Sequence, residues 1–501
     1  MRTLLAFGRE IGVGLAAGMA IALPAAALAA QVLAAPMPPG AAVQPYVKVR
    51  PGLIALTHAR LIDGTGAPEQ SDRTIVIDGP RIAAVLAPGA APPAGATVID
   101  LSGRTVLPGL VGMHDHLFYV ARPDLDAAGK SEPPILAPQM SFSAPRMYLA
   151  GGVTTLRTTG SVEPYADLEL KKKIDAGELP GPHLDVTGPY LEGEGSPFVQ
   201  MHQLKDAEDA RRTVGFWADQ GATSFKAYMF ITRAELGAAI SEAHRRGLKI
   251  TGHLCAVTYP EAAELGIDDL EHGFFVNTQL DPGKRPDVCS DGEGDPTIQA
   301  MTPGSPASQA LIRLLVAHHV AVTSTLPVFE QDLPERAPLN PRALATLSPQ
   351  ALDAYLYARN RRAFQAAKRR DDARLGYAND IAMEHAFAAA GGLLLAGPDP
   401  TGNGGVLPGF GDQREVELLV DAGFTPEQAI RIASLNGALF MGLADRIGSI
   451  APGKDADLVV VSGDPAKAIA DIENVETVFK DGVGYAPAAL LESVRGRYGE
   501  Y

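Results

Sequence analysis

The stretch "RAELGAAISEAHRRGLKITGHLC" (residues 233–255) has the pattern of a helix, a turn and a strand. The helical part ends at Arg-Arg-Gly, where the glycine provides the C-terminal cap and the turn. A short apolar strand follows and ends just before His253. The same order of helix, glycine turn and strand occurs in residues 206–230 and again in residues 259–273. This alternation predicts a parallel α/β fold.

The alternation extends through the middle of the chain, in residues 152–160, 184–191, 308–326 and 382–399. Eight strand candidates fit a closed (β/α)8 barrel, also called a TIM barrel, which is the expected fold. An open doubly wound sheet is the alternative. No G-x-G-x-x-G stretch follows a first strand to support that alternative.

Two stretches, residues 277–307 and 327–380, are longer than ordinary connections and follow predicted strands. In a barrel, such loops lie on the catalytic face and act as lids or specificity elements. The second contains a helical, basic segment, residues 359–370. For this segment a solvated helix face is the favoured interpretation.

Both ends of the chain are rich in short β-like runs. Residues 53–63, 74–86 and 97–109 are separated by Gly, Pro and Asp turns, and a matching set fills residues 447–464 and 475–486. We therefore expect one small sheet domain built from both termini. The expected boundaries are a linker at 30–50, sheet segments at 51–107 and 447–490, and the barrel at 108–446.

Composition limits the classes of function. Charged residues make up 20% and hydrophobic residues 46% of the 501-residue chain, which is typical of a soluble globular protein. The net charge of −15 argues against nucleic-acid binding, because phosphate contacts need a basic stripe.

The N-terminus has the order of a secretory signal. Arg2 and Arg9 precede an uncharged stretch at 11–30, which contains Ala27-Leu28-Ala29. We expect residues 1–29 to be a cleaved signal peptide, which predicts a periplasmic or secreted protein without a stable membrane anchor. An uncleaved anchor is the alternative, because the apolar length is borderline.

Candidate metal ligands occur one strand at a time. In "LVGMHDHLFY" (110–119), alternation along a strand would place His114 and His116 on one face. Single residues of this kind also have ordinary structural explanations: a chance pair, a snorkelling lysine, a core histidine or a helix cap. Five strands with suitable groups at the same end are much harder to explain by chance. The remaining candidates, each after an apolar run, are Lys226, His253, His272 and Asp399.

These motifs resemble the amidohydrolase superfamily, and within it the imidazolonepropionase-like and prolidase-like dipeptidases. The resemblance covers nearly everything after about residue 50. It implies a distorted (β/α)8 barrel with a small β-sandwich from both termini. The matching stretches are "VLPGLVGMHDH" (106–116), "GVTTLR" (152–157), "FKAY" (225–228), "ITGH" (250–253), "LEHG" (270–273), "AGPD" (396–399) and the tail at 414–461.

The resemblance also implies two divalent metal ions. His114, His116 and Asp399 would hold one, and His253 and His272 the other. Lys226 would bridge them as a carboxylated lysine, because an ammonium group has only donors and cannot bind a cation. Zinc suits histidine and carboxylate ligands and is the expected metal. Ligand type alone leaves the metal identity open.

The implied reaction is hydrolysis of an amide in a dipeptide or an N-acyl amino acid. Two metals lower the pKa of a bridging water, and Asp399 moves its proton to the leaving nitrogen. Tyr228 and His202 are candidates for polarising and binding the substrate. Arg157 is a candidate for binding a substrate carboxylate, and pairing with an internal acid is the alternative. Opening of a lactone or other ester, or of a phosphotriester, is an alternative. An inactive metal-binding scaffold is an alternative of another class. Homo-oligomerisation is left open.

The chain has two cysteines, Cys255 and Cys289. Cys255 lies two residues past His253, and Cys289 lies in the long loop after the sixth strand. Two free thiols are one possibility. Since loops that follow neighbouring strands meet at the catalytic rim and the compartment is expected to be oxidising, we predict a disulfide that holds the 277–307 loop over the site.

Overall fold

The computed structural model describes residues 38–120, 135–401 and 405–500. The expected signal peptide, residues 1–29, lies outside the described residues. Among the described helices, none combines the length and the apolar composition needed to cross a membrane.

Strands and helices alternate over most of the described chain. The strands are β1 (Val47–Val49), β2 (Leu53–Leu61), β3 (Gln70–Asp78), β4 (Arg81–Leu86), β5 (Thr97–Asp100), β6 (Arg104–Pro108), β7 (Leu110–Gly112), β8 (Val153–Arg157), β9 (His183–Asp185), β10 (Ser224–Ala227), β11 (Lys249–Gly252), β12 (Asp269–Glu271), β13 (Ala321–Ser324), β14 (Leu394–Ala396), β15 (Leu458–Ser462), β16 (Val475–Lys480) and β17 (Val483–Tyr485). The α-helices are α1 (Ala144–Ala150), α2 (Pro164–Asp175), α3 (Ala207–Gln220), α4 (Arg233–Arg245), α5 (Tyr259–Leu265), α6 (Asp295–Ala300), α7 (Pro306–Ala317), α8 (Leu326–Glu330), α9 (Pro341–Leu344), α10 (Pro349–Ala366), α11 (Arg370–Ala389), α12 (Phe410–Asp421), α13 (Pro426–Arg431), α14 (Gly437–Phe440) and α15 (Pro487–Ser493).

The helix, turn and strand predicted for residues 233–255 are present as α4 and β11. A capping box starts α4: the Thr232 side chain accepts a hydrogen bond from the Glu235 amide, and the Glu235 carboxylate accepts one from the Thr232 amide. The helix is followed by Gly247 at φ +72°, a conformation that glycine adopts without strain. The strand then ends directly before His253.

Strands from both ends of the chain form one mixed sheet of nine strands. β6 links the two ends, because it pairs antiparallel with β15 and parallel with β2. Apolar side chains from both ends pack in one core, for example Ile54, Val106 and Leu458. The strands expected to form the β-sandwich are joined in a single hydrogen-bonded sheet. β1, which lies in the expected linker, also belongs to it through its pairing with β17.

The eight parallel strands of the middle form two sheets. β7, β8 and β9 make the first, and β10 to β14 make the second. At one junction the Leu191 amide donates to the Lys226 carbonyl over 2.9 Å, and at the other the Met113 amide donates to the Ala396 carbonyl over 2.9 Å. The parallel α/β class is thus confirmed. The expected single closed barrel is not, because isolated hydrogen bonds instead of continuous ladders join the sheets.

Candidate metal centre

Six of the predicted residues meet where the parallel strands end. His114 and His116 follow β7, Lys226 lies in β10, and His253 and His272 directly follow β11 and β12. Asp399 comes three residues after β14. Since neighbouring parallel strands end at the same edge, the order of the strands alone brings these side chains together.

The distances within this cluster are short. The Lys226 Nζ lies 3.0 Å from the His114 Nε2. The Asp399 Oδ1 lies 3.0 Å from the His116 Nε2 and 3.7 Å from the His114 Nε2. One ligand atom each from His114, His272 and Asp399 falls within 4.8 Å of the others. The rings of His253 and His272 have centroids 4.4 Å apart.

Burial keeps the imidazoles neutral. Loss of hydration, together with the nearby Lys226 ammonium, lowers the pKa of His114 to about 4 and that of His253 to about 3. Burial also lowers the pKa of His272 well below its ordinary value. Neutral imidazoles have the free lone pairs that a metal ion requires.

The charged members of the cluster also suit a cation. Burial alone would raise the pKa of Asp399, but His114 and His116 hold it well below its ordinary value, so the carboxylate is ionised. Burial lowers the pKa of Lys226 to about 8. Several neutral imidazoles and one carboxylate are the donor set that zinc and similar divalent metals prefer, so the residues fit such a group.

One acidic residue that was not a candidate, Glu271, and the hydroxyl of Thr325 support the cluster. The His114 Nδ1 donates to the Glu271 Oε2 over 2.7 Å, which leaves the Nε2 lone pair directed at Lys226 and Asp399. The His272 Nδ1 lies 3.0 Å from the Thr325 hydroxyl. The sequence "DDLEHG" (268–273) contains a signal for this role, because Asp269 and Glu271 alternate in β12 directly before His272, and all of β12 is buried.

Arg157 does not line the cavity and pairs with internal acids, so the alternative to its role in substrate binding applies. Its guanidinium is 1% exposed and donates to the Met113 carbonyl over 2.7 Å, to Asp269 over 2.8 Å and to Glu271 over 3.0 Å. The pair of acids faces it because β8 and β12 cross the same core. Arg157 therefore neutralises the carboxylate that orients His114.

Replacing Arg157 with methionine is expected to lower the free energy of unfolding by about 3–5 kcal/mol, because Asp269 and Glu271 are left buried without a counter-charge. Urea unfolding of the purified variant measures the change. The matched control is Arg212→Met, since this arginine is 60% exposed and its ion pairs should contribute less than about 1 kcal/mol. Equal losses for both variants would contradict the assignment.

Backbone strain marks two members of the cluster. His272 and Asp399 have φ angles of +70° and +53°, a region that residues with a Cβ atom rarely adopt. Each is held there by its neighbours: the Asp399 amide donates to the His114 carbonyl over 3.0 Å, and the Gly273 amide donates to the Thr323 carbonyl over 2.8 Å. Such strain is characteristic of functional sites in folded proteins.

The cluster opens into a cavity of about 620 Å³. Tyr228 lines it, with its ring 4.9 Å from the His253 ring. Tyr190, which was not a candidate, also lines it and is buried, and burial raises the pKa of its hydroxyl well above the ordinary value. The Tyr190 hydroxyl can therefore donate a hydrogen bond to a bound molecule at neutral pH.

His202 is not part of this cavity. Its side chain is 49% exposed, and its Nε2 lies 2.9 Å from the Asp209 carboxylate at the start of α3. The neighbouring Met201 lines the cavity instead. The role in catalysis and substrate binding expected for His202 is therefore not supported, because the loop turns this side chain towards solvent.

Cys255 and Cys289 form a disulfide with their Cα atoms 4.8 Å apart. Cys255 lines the cavity, so the bond ties the loop after β12 to the wall of the site. A second anchor of this loop is the buried Asp281 carboxylate, which accepts hydrogen bonds from the Gly294 amide and the Thr297 hydroxyl. The segment between these anchors is held in place against the cavity.

The double variant Cys255→Ala, Cys289→Ala is expected to be less stable by about 3–4 kcal/mol, because the disulfide closes a loop with a sequence separation of 34 residues. Chemical denaturation of the oxidised wild type and of the variant measures this. Intact mass after alkylation without reductant is the complementary test. Two thiols that react in the folded protein would contradict the bond.

A second group of possible ligands lies away from the cavity, where β9 meets the nine-stranded sheet. His183, Asp457 and Asp481 approach one another there. The His183 Nε2 lies 3.1 Å from Asp481, which also pairs with Lys480 over 3.1 Å. Because Asp481 pairs with both His183 and Lys480, the group is explained as a structural link between β9 and the nine-stranded sheet.

A buried set of neutral imidazoles, an ionised aspartate and a lysine, placed at the ends of parallel strands, defines the class of metal-dependent hydrolases. The model of the amidohydrolase family matches residues 105–483. The chain belongs to the amidohydrolase family, whose members hydrolyse carbon–nitrogen bonds, and the resemblance inferred from the sequence is confirmed.

Individual relatives agree with this assignment. A dihydroorotase from Pelotomaculum thermopropionicum is 25% identical over 392 residues, which cover 75% of this chain and 82% of the relative. The structure of a Xaa-Pro dipeptidase with bound methionine has a TM-score of 0.63 at 21% identity and covers 87% of this chain and 100% of its own. The bottromycin amidohydrolase has a TM-score of 0.63 at 21% identity, covering 91% and 94%. These structures are similar in fold.

Proposed function

We propose that this protein is an exported, binuclear metal-dependent hydrolase that cleaves the amide bond of a dipeptide or an N-acyl amino acid. The observation that carries the proposal is Lys226, whose Nζ lies 3.0 Å from the His114 Nε2 inside the buried ligand cluster. A free lysine has no lone pair for a metal while it is charged, so its place in this cluster calls for a chemical change.

Carboxylation resolves the conflict. The neutral amine of Lys226 forms an N–C bond to CO2 and releases one proton, which yields a carbamate with two oxygen donors. The low pKa of Lys226, about 8, favours this reaction because a useful fraction of the amine is unprotonated near neutral pH. One carbamate oxygen is then available to each of two metal ions, for which zinc remains the expected identity.

The remaining ligands divide into two sets. His114, His116 and Asp399 would hold one metal, and His253 and His272 the other. When bound, the pair of metals supplies Lewis acidity and lowers the pKa of water. In the distorted (β/α)8 barrel of the family, the two parallel sheets would together hold both sets of metal ligands.

The protein's own groups supply the proton transfers. Asp399 is ionised, and its side chain is 15% exposed at the cavity, so it can accept a proton from water and give it to the leaving nitrogen. Tyr228 and Tyr190 can donate hydrogen bonds to the substrate carbonyl or carboxylate.

A substrate panel tests the proposal. The purified enzyme, loaded with zinc and bicarbonate, is assayed against a dipeptide, an N-acyl amino acid, a lactone and a phosphotriester. We expect kcat/KM for at least one of the two amides to exceed kcat/KM for the lactone and for the phosphotriester by at least about 100-fold. The reason is that Asp399 is placed to protonate a nitrogen leaving group. A lactone or phosphotriester at the top of this ranking would contradict it.

Export is the remaining part of the proposal, and it predicts removal of the first ~29 residues in the native compartment. The disulfide near the site supports export, because such bonds persist in oxidising compartments. N-terminal sequencing of the native protein measures the start of the chain. A native protein that begins at Met1 would contradict export with removal of a signal peptide.

A further inference from the structure

A second cavity, of about 550 Å³, adjoins the cavity at the candidate metal centre. A stacked pair of rings stands at the boundary: the centroids of Phe275 and Phe329 are 3.7 Å apart, with 12° between the ring planes. Phe329 is also 5.8 Å from the His272 ring, so the boundary begins beside the metal centre. The residues that line both cavities are Phe275, Asp295, Phe329, Asp332, Arg362 and Arg369.

The second cavity has an apolar floor. Beyond the two phenylalanines, Ile298 of α6 and Gly376 and Tyr377 of α11 form its surface. Tyr377 lies 6.1 Å from Phe275, measured between ring centroids, so three aromatic rings are grouped on one side. Apolar and aromatic walls of this kind bind planar, uncharged groups by burial and ring packing.

The charged groups around this floor compensate one another. Arg369 pairs with Asp295, and the Arg362 Nη1 lies 3.4 Å from Asp332. Lys368 and Asp372 add one charge of each sign. The basic segment 359–370 is therefore not a solvated face throughout, since two of its arginines line the cavities. With its charges paired, the second cavity does not favour an ionic ligand.

The volumes of the two cavities limit which substrates can occupy both. Each cavity alone falls within the ~300–1,000 Å³ that commonly holds a drug-sized ligand. A small dipeptide at the metal centre would fill only the first cavity. The space beyond the Phe275–Phe329 pair is thus available to a part of the substrate that extends away from the scissile bond.

We propose that this second cavity is a distal subsite for an uncharged aromatic group, so that the preferred substrates are amides with a bulky aromatic extension. The inference rests on the proposed amide hydrolysis and narrows its substrate class. The structure assigns recognition to Phe275, Phe329 and Tyr377, and Gly376 leaves the floor beside them free of a side chain.

Filling the cavity tests the subsite. A Cβ atom added at Gly376 would meet Ile298 Cγ2 at 3.4 Å, an ordinary contact. Because Gly376 and Ile298 both line the second cavity, we expect the ring of Gly376→Phe to occupy it. The matched control is Leu375→Phe, one residue earlier on α11, where the side chain is 45% exposed. Both variants add an aromatic ring to the same helix.

The substrates are N-acetyl-L-alanine, N-(4-phenylbutanoyl)-L-alanine and N-acetyl-4-phenyl-L-phenylalanine. The first has no aromatic extension, the second has one on the acyl side of the amide, and the third has one on the amine side. For the wild type and Leu375→Phe, we expect kcat/KM to be about tenfold or more higher for at least one aromatic amide than for N-acetyl-L-alanine. For Gly376→Phe this ratio should fall to about one. General damage to the fold would lower all rates and leave the ratio unchanged.

Calorimetric binding to the Asp399→Asn variant separates the subsite from the reaction. If the aromatic amides bind about tenfold more tightly than N-acetyl-L-alanine and Gly376→Phe removes the difference, the subsite stands even if no amide is hydrolysed. If hydrolysis occurs but neither aromatic amide is preferred in rate or in binding, the subsite is overturned and the proposed function is kept.

Discussion

Replacing Lys226 with alanine is expected to abolish paired metal binding and to lower kcat/KM by at least about 10³-fold, because the metals supply several kcal/mol of transition-state stabilisation. The side chain is 1% exposed and lies against the ring of His114, so no other group of the cluster can take its place as a bridge. Metal content by mass spectrometry and kcat/KM are measured on the same preparation.

Three further measurements make this test specific. Short-chain carboxylates such as formate or propionate should partly restore activity, because a carboxylate can occupy the space of the lost carbamate. Lys226→Met, which keeps the volume of the side chain, separates loss of the bridge from loss of packing. Lys249→Ala is the matched control, since Lys249 starts the neighbouring strand β11 and is 45% exposed at the opposite end. Two tightly bound metals and full activity in Lys226→Ala would exclude Lys226 as the bridge between the metals.

The positions of the six clustered residues were accessible from the sequence because strand polarity determines them. His253 and His272 each come directly after a parallel strand, and such a strand must present the residue after its carboxyl end at the common edge. No knowledge of side-chain packing is needed for this step. The same argument explains why Tyr228, two residues beyond Lys226, lies in the cavity.

The residues whose roles were misjudged depend on long-range contacts. Arg157 ends a strand as Lys226 nearly does, yet its direction is set by Asp269 and Glu271 on β12, more than a hundred residues later. His202 lies in a connection whose course depends on the helix cap at α3, and Asp209 there holds the ring outside. Local pattern carries no information about either contact.

The arrangement of the sheets has a similar limit. Alternation predicted which segments are strands and that the middle ones are parallel. Whether eight parallel strands form one ladder depends on the residues between them. In the described residues, the segment after β9 pairs with β10 through isolated bridges at Thr187 and Leu191 and not through a continuous ladder. In the same way, β6 pairs with strands on both sides, which joins the strands expected to form the sandwich in one sheet.

Replacing Asp399 with asparagine is expected to lower kcat by about 10²–10⁴-fold, the contribution of a well-placed general acid–base group. The carboxylate lies 3.0 Å from the His116 Nε2, and the positive φ of residue 399 aims it into the cluster. Asparagine preserves the shape and an oxygen donor, but it cannot accept and return a proton at neutral pH. We therefore expect kcat to fall much more than KM changes.

The control for this prediction is Asp421→Asn, because Asp421 is 66% exposed at the end of α12 and does not line the cavity. Metal content of the Asp399 variant must be measured beside its rate, since a carboxylate ligand is also lost. If kcat falls in proportion to metal occupancy alone, Asp399 acts only as a ligand. If metal is retained and kcat still falls at least about 100-fold, the proton transfer belongs to this side chain, because ligand loss no longer accounts for the rate.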